Sequence, residues 1–188
     1  MIIPHTEALG IRLTAAQTRT GSAVFEELTG LGLEKLPSRD AFTSMSLWPN
    51  GPHQQVCAQF EIVHPESGRI VGYTSLHELS PHSGYVKCSV ALDPSRGGPG
   101  AATAATALTA NYAFSMWNIR KIYFWTLDDS IAALDGTPID AVKEVVFPEY
   151  VKDGDQLRTA NVFAVYREQW ETAGVEFVRT LAAGPPAS

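Results

Sequence analysis

Between Val56 and Leu92 the apolar residues recur at every second position, the period of a half-buried strand. Val56-Cys57-Ala58-Gln59-Phe60-Glu61-Ile62-Val63 alternates, Pro65-Glu66-Ser67-Gly68 has turn chemistry, and Arg69 to Leu76 returns, so the pair predicts a hairpin. His77 to Gly84 reads as a loop and Tyr85 to Leu92 as the next strand, with Val86, Cys88, Val90 and Leu92 on one face. Asp93-Pro94 ends it, because proline has no N–H for a ladder. Glycine punctuation follows, and good helix formers run from about Ala101 to Trp117. Arg120 to Thr126, rich in Ile, Tyr, Phe and Trp, reads as a strand, Ile131 to Leu134 as one helical turn, Gly136 to Gly154 as irregular, and Val162 to Tyr166 as a closing strand. Upstream, Ile11 to Leu13 predicts a short strand, Ala15 to Leu28 a helix ended by Gly30 and Gly32, and Pro37 to Pro52 a loop.

A meander, one crossover helix, a strand beside the meander and then more strand give an α+β (mixed α/β) fold. Its centre is a mixed, mostly antiparallel sheet flanked by helices. The strand after the helix is expected to run parallel to Tyr85–Leu92, because a crossover returns the chain in the same direction. With 188 residues, the expectation is one domain over 1–180 and a flexible tail over 181–188, where small residues and two prolines end the chain.

Net charge is −6 with no basic run, which argues against a grip on nucleic acid by phosphate neutralisation. No 18-residue apolar stretch predicts a membrane span, and the start lacks a charged region followed by an apolar one. Cys57 and Cys88, both in predicted strands, are read as buried, reduced thiols of a cytoplasmic protein. Two cysteines and five histidines without ligand spacing give no metal site.

The candidate chemistry lies in Arg96-Gly97-Gly98-Pro99-Gly100-Ala101-Ala102-Thr103. A glycine-rich strand-to-helix turn aims several N–H groups at one place, at the positive end of a helix, and so suits phosphate or pyrophosphate. A P-loop needs Lys and Ser/Thr after the last glycine, where Ala101-Ala102 stand. A dinucleotide fold wants its glycines directly after a first parallel strand, yet here a meander comes first and Asp93 to Arg96 intervene.

Gly97-Gly98-Pro99-Gly100-Ala101-Ala102 resembles the acyl-CoA loop Q/R-x-x-G-x-G/A of the GCN5-related N-acetyltransferases, with Gly97 in place of the first Gln or Arg and Arg96 one residue early. Gly100-Ala101-Ala102-Thr103-Ala104-Ala105 with Tyr112-Ala113-Phe114 resembles the branch that acetylates ribosomal-protein N-termini. Val162 to Trp170, with Arg167-Glu168-Gln169-Trp170, looks like its closing strand and R-E-x-W. The resemblance covers about residues 55–172. It implies an N-acyltransferase moving an acyl group, most simply from acetyl-CoA, to a primary amine by direct attack in a ternary complex. It further implies that backbone N–H groups of Gly98 to Thr103 hold pyrophosphate. The strand before the loop splays from its neighbour. Leu92 pairs with pantetheine, and the Val90 N–H faces the acyl carbonyl as an oxyanion donor.

Relatives with a strand carboxylate carry it where this chain has Val86. The resemblance instead implies Glu149, of the Glu149-Tyr150 pair, as base and Ser130 as donor to the thiolate, although Leu127 stands where an Asn is expected before that Ser. Glu144 is a second carboxylate of the same region, and His77 and Glu78 end a strand near the cleft. Phe42, Trp48, Phe60, Tyr73 and Phe147 form either an aromatic acceptor site or plain core. The acceptor class is a small-molecule or peptide amine, and a homodimer stays open. The competing classes are a non-catalytic acyl-CoA or acyl-carrier-protein binding module on the same fold and a dinucleotide-dependent oxidoreductase.

Overall fold

The computed structural model describes residues 2–17, 19–33, 36–43, 48–49 and 55–184. Its elements are β1 (Glu7–Ala8), β2 (Ile11–Ala15), α1 (Gly21–Gly30), α2 (Arg39–Thr43), β3 (Val56–Val63), β4 (Ile70–Ser80), β5 (Tyr85–Leu92), α3 (Pro94–Gly97), α4 (Ala101–Met116), β6 (Lys121–Thr126), β7 (Val142–Asp153) and β8 (Gln156–Tyr166). α5 (Arg167–Gln169), a π-helical turn (Trp170–Gly174) and α6 (Val175–Ala183) close the described chain.

Eight strands form one sheet in the order β1-β2-β3-β4-β5-β6-β8-β7. Every neighbouring pair is antiparallel except β5–β6. That single parallel pair follows from the crossover through α4 and excludes the doubly wound parallel sheet of the dinucleotide reading. The alanine content of α4 lets it lie close to the sheet, and Ala101, Ala104, Ala105, Leu108 and Phe114 are among its buried residues. They pack with Val86 and Cys88 of β5, Ile122 and Phe124 of β6, and Phe163 and Val165 of β8.

Arg167 fixes the far end of α4. Its guanidinium donates to the carbonyls of Phe114, Trp117 and Ile119, which satisfies carbonyls that the helix leaves open. Trp170 donates from Nε1 to Asn111 Oδ1 at 3.2 Å. The R-E-x-W stretch is thus the clasp that holds α4 down. On the opposite face, Val24 and Leu28 of α1 and Phe42 of α2 pack with Trp48 and Tyr73.

Several expectations need correction. Ala15 to Leu28 is not one helix: Ala15 ends β2, and α1 begins after Thr20, whose side chain accepts from the Ala23 N–H as an N-cap. Pro37 to Pro52 contains α2, while residues 44–47 and 50–52 lie outside the described residues. The expected loop over His77–Gly84 is partly strand, because β4 runs to Ser80 across a bulge with Glu78 at φ 51°. Ile131 to Leu134 is a hydrogen-bonded turn rather than a helix, with Leu134 N–H on Ile131 C=O at 2.7 Å. The largest difference is Gly136–Gly154, read as irregular, which holds the 12-residue edge strand β7. In the tail, Leu181 to Ala183 are helical and 185–188 lie outside the described residues.

Candidate functional site

β5 has two different edges. Along β4 it pairs throughout, from Ser80↔Tyr85 to Gly72↔Leu92. Along β6 it pairs only from Tyr85↔Lys121 to Cys88↔Phe124. Beyond that last rung Ser89–Leu92 and Trp125–Thr126 share no ladder, so a gap opens in the middle of the sheet.

The direction of the free groups follows from one hydrogen bond. Asp93 N–H donates to Val71 C=O on β4 at 3.0 Å. Backbone groups of successive strand residues face opposite edges. The amides of Ala91 and Ser89 therefore face β4, and those of Val90 and Leu92 face the gap. Gly84 C=O agrees, accepting from Arg120 N–H on the β6 side at 2.7 Å.

The gap leads into the glycine loop. Asp93 caps α3 by accepting from the Ser95 N–H at 2.9 Å and the Ser95 hydroxyl at 2.6 Å. These bonds, the Ser95 hydroxyl first, together with Arg96 outweigh burial and hold the Asp93 carboxyl below the usual carboxylate range. Arg96 Nε lies 3.1 Å from Asp93 Oδ2. The N–H groups of Arg96 and Gly97 both turn back to Asp93 C=O. Gly97 is buried because a Cβ there would lie 2.6 Å from that of Ala101. Gly98 (φ 80°) and Gly100 (φ 76°) take backbone angles that favour glycine and are exposed. In α4, Ala104 N–H closes onto Gly100 C=O, so the amides of Ala102 and Thr103 precede the first intrahelical turn. Ala101 is buried, whereas Ala102 and Thr103 are half-buried.

No protein-family model and no curated protein matches the sequence. Solved structures do match. A GCN5-related N-acetyltransferase from Brucella melitensis aligns with TM-score 0.63 and 17% identity over 94% of this chain and 85% of that one. The spermidine N-acetyltransferase from Vibrio cholerae, solved with CoA and spermine, aligns with TM-score 0.59 and 14% identity over 86% of this chain and 98% of that one. Mycobacterium smegmatis RimJ, solved with CoA-disulfide, aligns with TM-score 0.55 and 21% identity over 68% and 60%. The fold is that of the GCN5-related N-acetyltransferases.

The other sequence candidates are spread over this GNAT fold. Val90 and Leu92 flank the gap, and residues 96–103 form its end. Glu144 sits elsewhere. It is the extra residue of a β7 bulge between Lys143 and Val145. Its carboxylate takes Lys121 Nζ at 2.7 and 2.8 Å, the Tyr123 hydroxyl at 2.9 Å and the Tyr166 hydroxyl. Burial opposes ionisation, but the bonds from Lys121, Tyr166 and Tyr123 outweigh it and set the carboxyl below its ordinary range. Lys121 starts β6, four residues and about 13 Å along the strand from Trp125. Glu144 is therefore an ion-pair anchor far from the gap, with the wrong basicity for taking a proton near neutrality.

The network has a testable pH signature. Glu144 stabilises the fold above the ordinary carboxylate range and loses that contribution as pH falls through its depressed folded value. For Lys121, burial alone lowers the value, but bonds to Glu144 and Tyr123 raise it overall, so its share is lost only as pH rises through that value. Glu144→Gln leaves the Lys121 ammonium unpaired, and we expect a loss of about 3 kcal/mol at pH 7 in urea unfolding. The loss should shrink at acid pH; an unchanged midpoint at pH 7 contradicts the anchor.

Ser130 donates its hydroxyl to Asp135 Oδ2 at 2.7 Å. Glu149 is exposed at φ 50° in the second β7 bulge. Leu127 packs beside Ala41, Val151 and Ala160. The adjacent strand brings in the amide of Asn161, whose Nδ2 donates to Asp128 C=O at 2.9 Å while its buried Oδ1 has no partner among the described residues. Glu78 is ion-paired with Lys87 Nζ at 2.7 Å, and His77 is fully buried.

The aromatic candidates divide. Phe42, Trp48 and Tyr73 are core beneath α1 and α2, and Phe60 is on the α4 face against Tyr112. Only Phe147 borders the gap side, stacked with Trp125 (centroids 5.4 Å) and Tyr150 (4.8 Å). Lys87 Nζ lies 5.3 Å from the Trp125 ring. Trp125, Asn161 and the buried serines of β4 and β5 escaped the sequence reading, because only the register shows which strand positions lie at the level of the gap.

Among the described residues no helix is long and apolar enough to cross a membrane, and no cluster of three His, Cys, Asp or Glu is set for a metal.

Proposed function

We propose that this chain is an acyl-CoA-dependent N-acyltransferase that uses acetyl-CoA and a primary amine. The observation that carries this is the gap between β5 and β6, with two backbone amides aimed into it and a helix N-terminus at its end. Pantetheine would enter the gap, its amides replacing the missing ladder at Leu92. The amides of Gly98, Gly100, Ala102 and Thr103 meet pyrophosphate at the positive end of α4, while Ala101 N–H is turned to Gly98 C=O at 3.3 Å. Arg96, beside them, adds positive charge. Val90 N–H is placed to hold the oxyanion of a tetrahedral intermediate. Asn161 Oδ1 can accept from an amide N–H of the coenzyme.

Transfer is direct. Cys88 is the thiol nearest the reacting centre, but it lies in the core against α4, where burial pushes it up to about 12 despite the Thr74 hydrogen bond. A protonated, enclosed thiol is not a nucleophile. Structural neighbours named for spermidine acetylation support an amine acceptor. It approaches from the α1–α2 face, past Trp125, Phe147 and Tyr150. Acidic net charge favours a cationic amine over nucleic acid, and free thiols favour the cytoplasm. A homodimer remains part of the proposal.

An ammonium acceptor must lose one proton before attack. Glu149 is the proposed base, acting through water from the rim. Its left-handed backbone conformation is a strain that glycine would relieve, so the carboxylate is retained at a cost. Thiol release from acetyl-CoA with spermidine, a peptide with a free N-terminus and benzylamine tests the function. Glu149→Gln should lower kcat/KM roughly tenfold, less at higher pH where the amine arrives neutral. Acetyl-CoA binding without thiol release favours instead the binding-module reading, which the absence of a strand carboxylate at Val86 supports.

A further inference from the structure

Two buried hydroxyls at the mouth of the gap have no work in the fold. Ser75 is fully buried and Ser89 is 7% exposed, and among the described residues neither Oγ has a hydrogen-bond partner. An unsatisfied buried hydroxyl is costly, and alanine would fill either position without that cost.

The two residues are directly opposed across β4 and β5. Their strand neighbours two residues away, Tyr73 and Ala91, pack in the cluster beneath α1 and α2, so both serines face that side of the sheet. It is the side from which the acceptor is argued to approach. Ser89 and Trp125 are the first residues past the last β5–β6 rung, Cys88↔Phe124. Ser89 also immediately precedes Val90, whose amide faces the gap. Ser89 therefore stands at the level of the throat, one residue before the proposed oxyanion donor.

We propose that Ser89 is the catalytic proton shuttle between the attacking nitrogen and the leaving sulfur. The inference rests on the acyltransferase reading. A neutral amine attacks the thioester carbon. The C–N bond forms and the carbonyl pair moves to oxygen, opposite Val90 N–H. The nitrogen then carries one proton too many. Ser89 Oγ accepts that proton while passing its own hydrogen to sulfur. The C–S bond breaks with its pair on sulfur and the carbonyl re-forms. An amide and a thiol result, Ser89 is restored, and no other reactant is consumed.

Other nearby groups are engaged elsewhere. Ser130 is bonded to Asp135, Cys88 points to the α4 side, and Lys87 is paired with Glu78. Glu149 keeps a separate task, the proton removed from the ammonium before attack.

The test measures steady-state thiol release with the best of the three amines, beside calorimetric acetyl-CoA binding. Ser89→Ala should lower kcat about a hundredfold, the usual worth of a positioned proton-transfer group, with the acetyl-CoA Kd within about twofold. Ser89→Thr, which keeps a hydroxyl, should restore most of the rate. Ser75→Ala removes the opposed hydroxyl on β4, one strand further from the gap, and should leave kcat within about twofold. Both alanine variants remove an unsatisfied hydroxyl and should melt no lower than the parent protein, so misfolding does not mimic the result. Full kcat in Ser89→Ala overturns the shuttle, as does a Ser75→Ala loss equal to that of Ser89→Ala. Thiol release by the parent protein, with Ser89→Ala equal to it, sinks the shuttle alone. Acetyl-CoA binding without thiol release from any of the three amines sinks the acyltransferase reading and the shuttle together.

Discussion

Ala102→Glu should abolish acetyl-CoA binding while leaving the protein as stable as before, or slightly more so. Ala102 is half-buried in the first turn of α4, with its amide beyond the intrahelical ladder. A carboxylate in a first turn favours the free helix by roughly 0.3–1 kcal/mol through the macrodipole. The same carboxylate opposes a bound pyrophosphate. Two like charges about 4 Å apart at an effective dielectric of about 20 repel by about 4 kcal/mol, close to a thousandfold in Kd. Stability and binding thus move in opposite directions, which a general folding defect cannot produce. Gly100→Glu should also lose binding but mixes two causes. Gly100 sits at φ 76°, and a Cβ there would lie 2.9 Å from Leu9 Cδ1, so strain accompanies the charge. Isothermal calorimetry with a melting curve decides the matter; Ala102→Glu with unchanged affinity removes the pyrophosphate from this helix.

The loop and its helix were legible because their signals are local. Asp93-Pro94, the glycines and the alanine run mark the end of β5, the turn and α4 without reference to anything distant. β3 and β5 of the meander were legible because apolar–polar alternation survives in their sequence, whereas β4, buried on both faces from Val71 to His77, was legible from the turn that precedes it. β7 was not. Its bulges at Lys143/Val145 and Phe147/Val151 break the period twice, and Pro148 sits inside it. As an edge strand it also leaves Val142, Val145 and Val146 exposed, which removes the apolar–polar contrast.

The candidate site divides along the same line. Val90 and Leu92 are proposed to act through backbone groups whose direction follows from strand parity, so a resemblance was enough to single them out. Ser75 and Ser89 needed the β4–β5 register, which no local pattern encodes. Glu144 looked like a free carboxylate until Lys121, Tyr123 and Tyr166, from two other strands, closed around it.

Gly72→Ala should damage stability and coenzyme binding together. Gly72 lies opposite Leu92, the last residue of β5. A Cβ there would stand 2.4 Å from Ala91 O, 2.4 Å from Leu92 Cβ and 2.6 Å from Leu92 Cα. Two of those atoms are backbone and cannot rotate aside, so the strands must part. The close approach has a use, because it draws the end of β5 toward β4 over the stretch where β5 has left β6. A methyl group pushes Leu92 back toward the gap that pantetheine is proposed to occupy. Overpacking against backbone should cost about 2–3 kcal/mol, or roughly 5–10 °C in Tm for a domain of this size. We expect the acetyl-CoA Kd to rise at least about tenfold, since a displacement of that edge breaks the pairing at Leu92. Gly30→Ala is the control: a Cβ there meets nothing within 4 Å and the backbone is ordinary helix, so the change should be neutral or mildly stabilising. A Gly72→Ala protein with parental Tm and parental affinity means that something other than the β4–β5 approach holds the gap open.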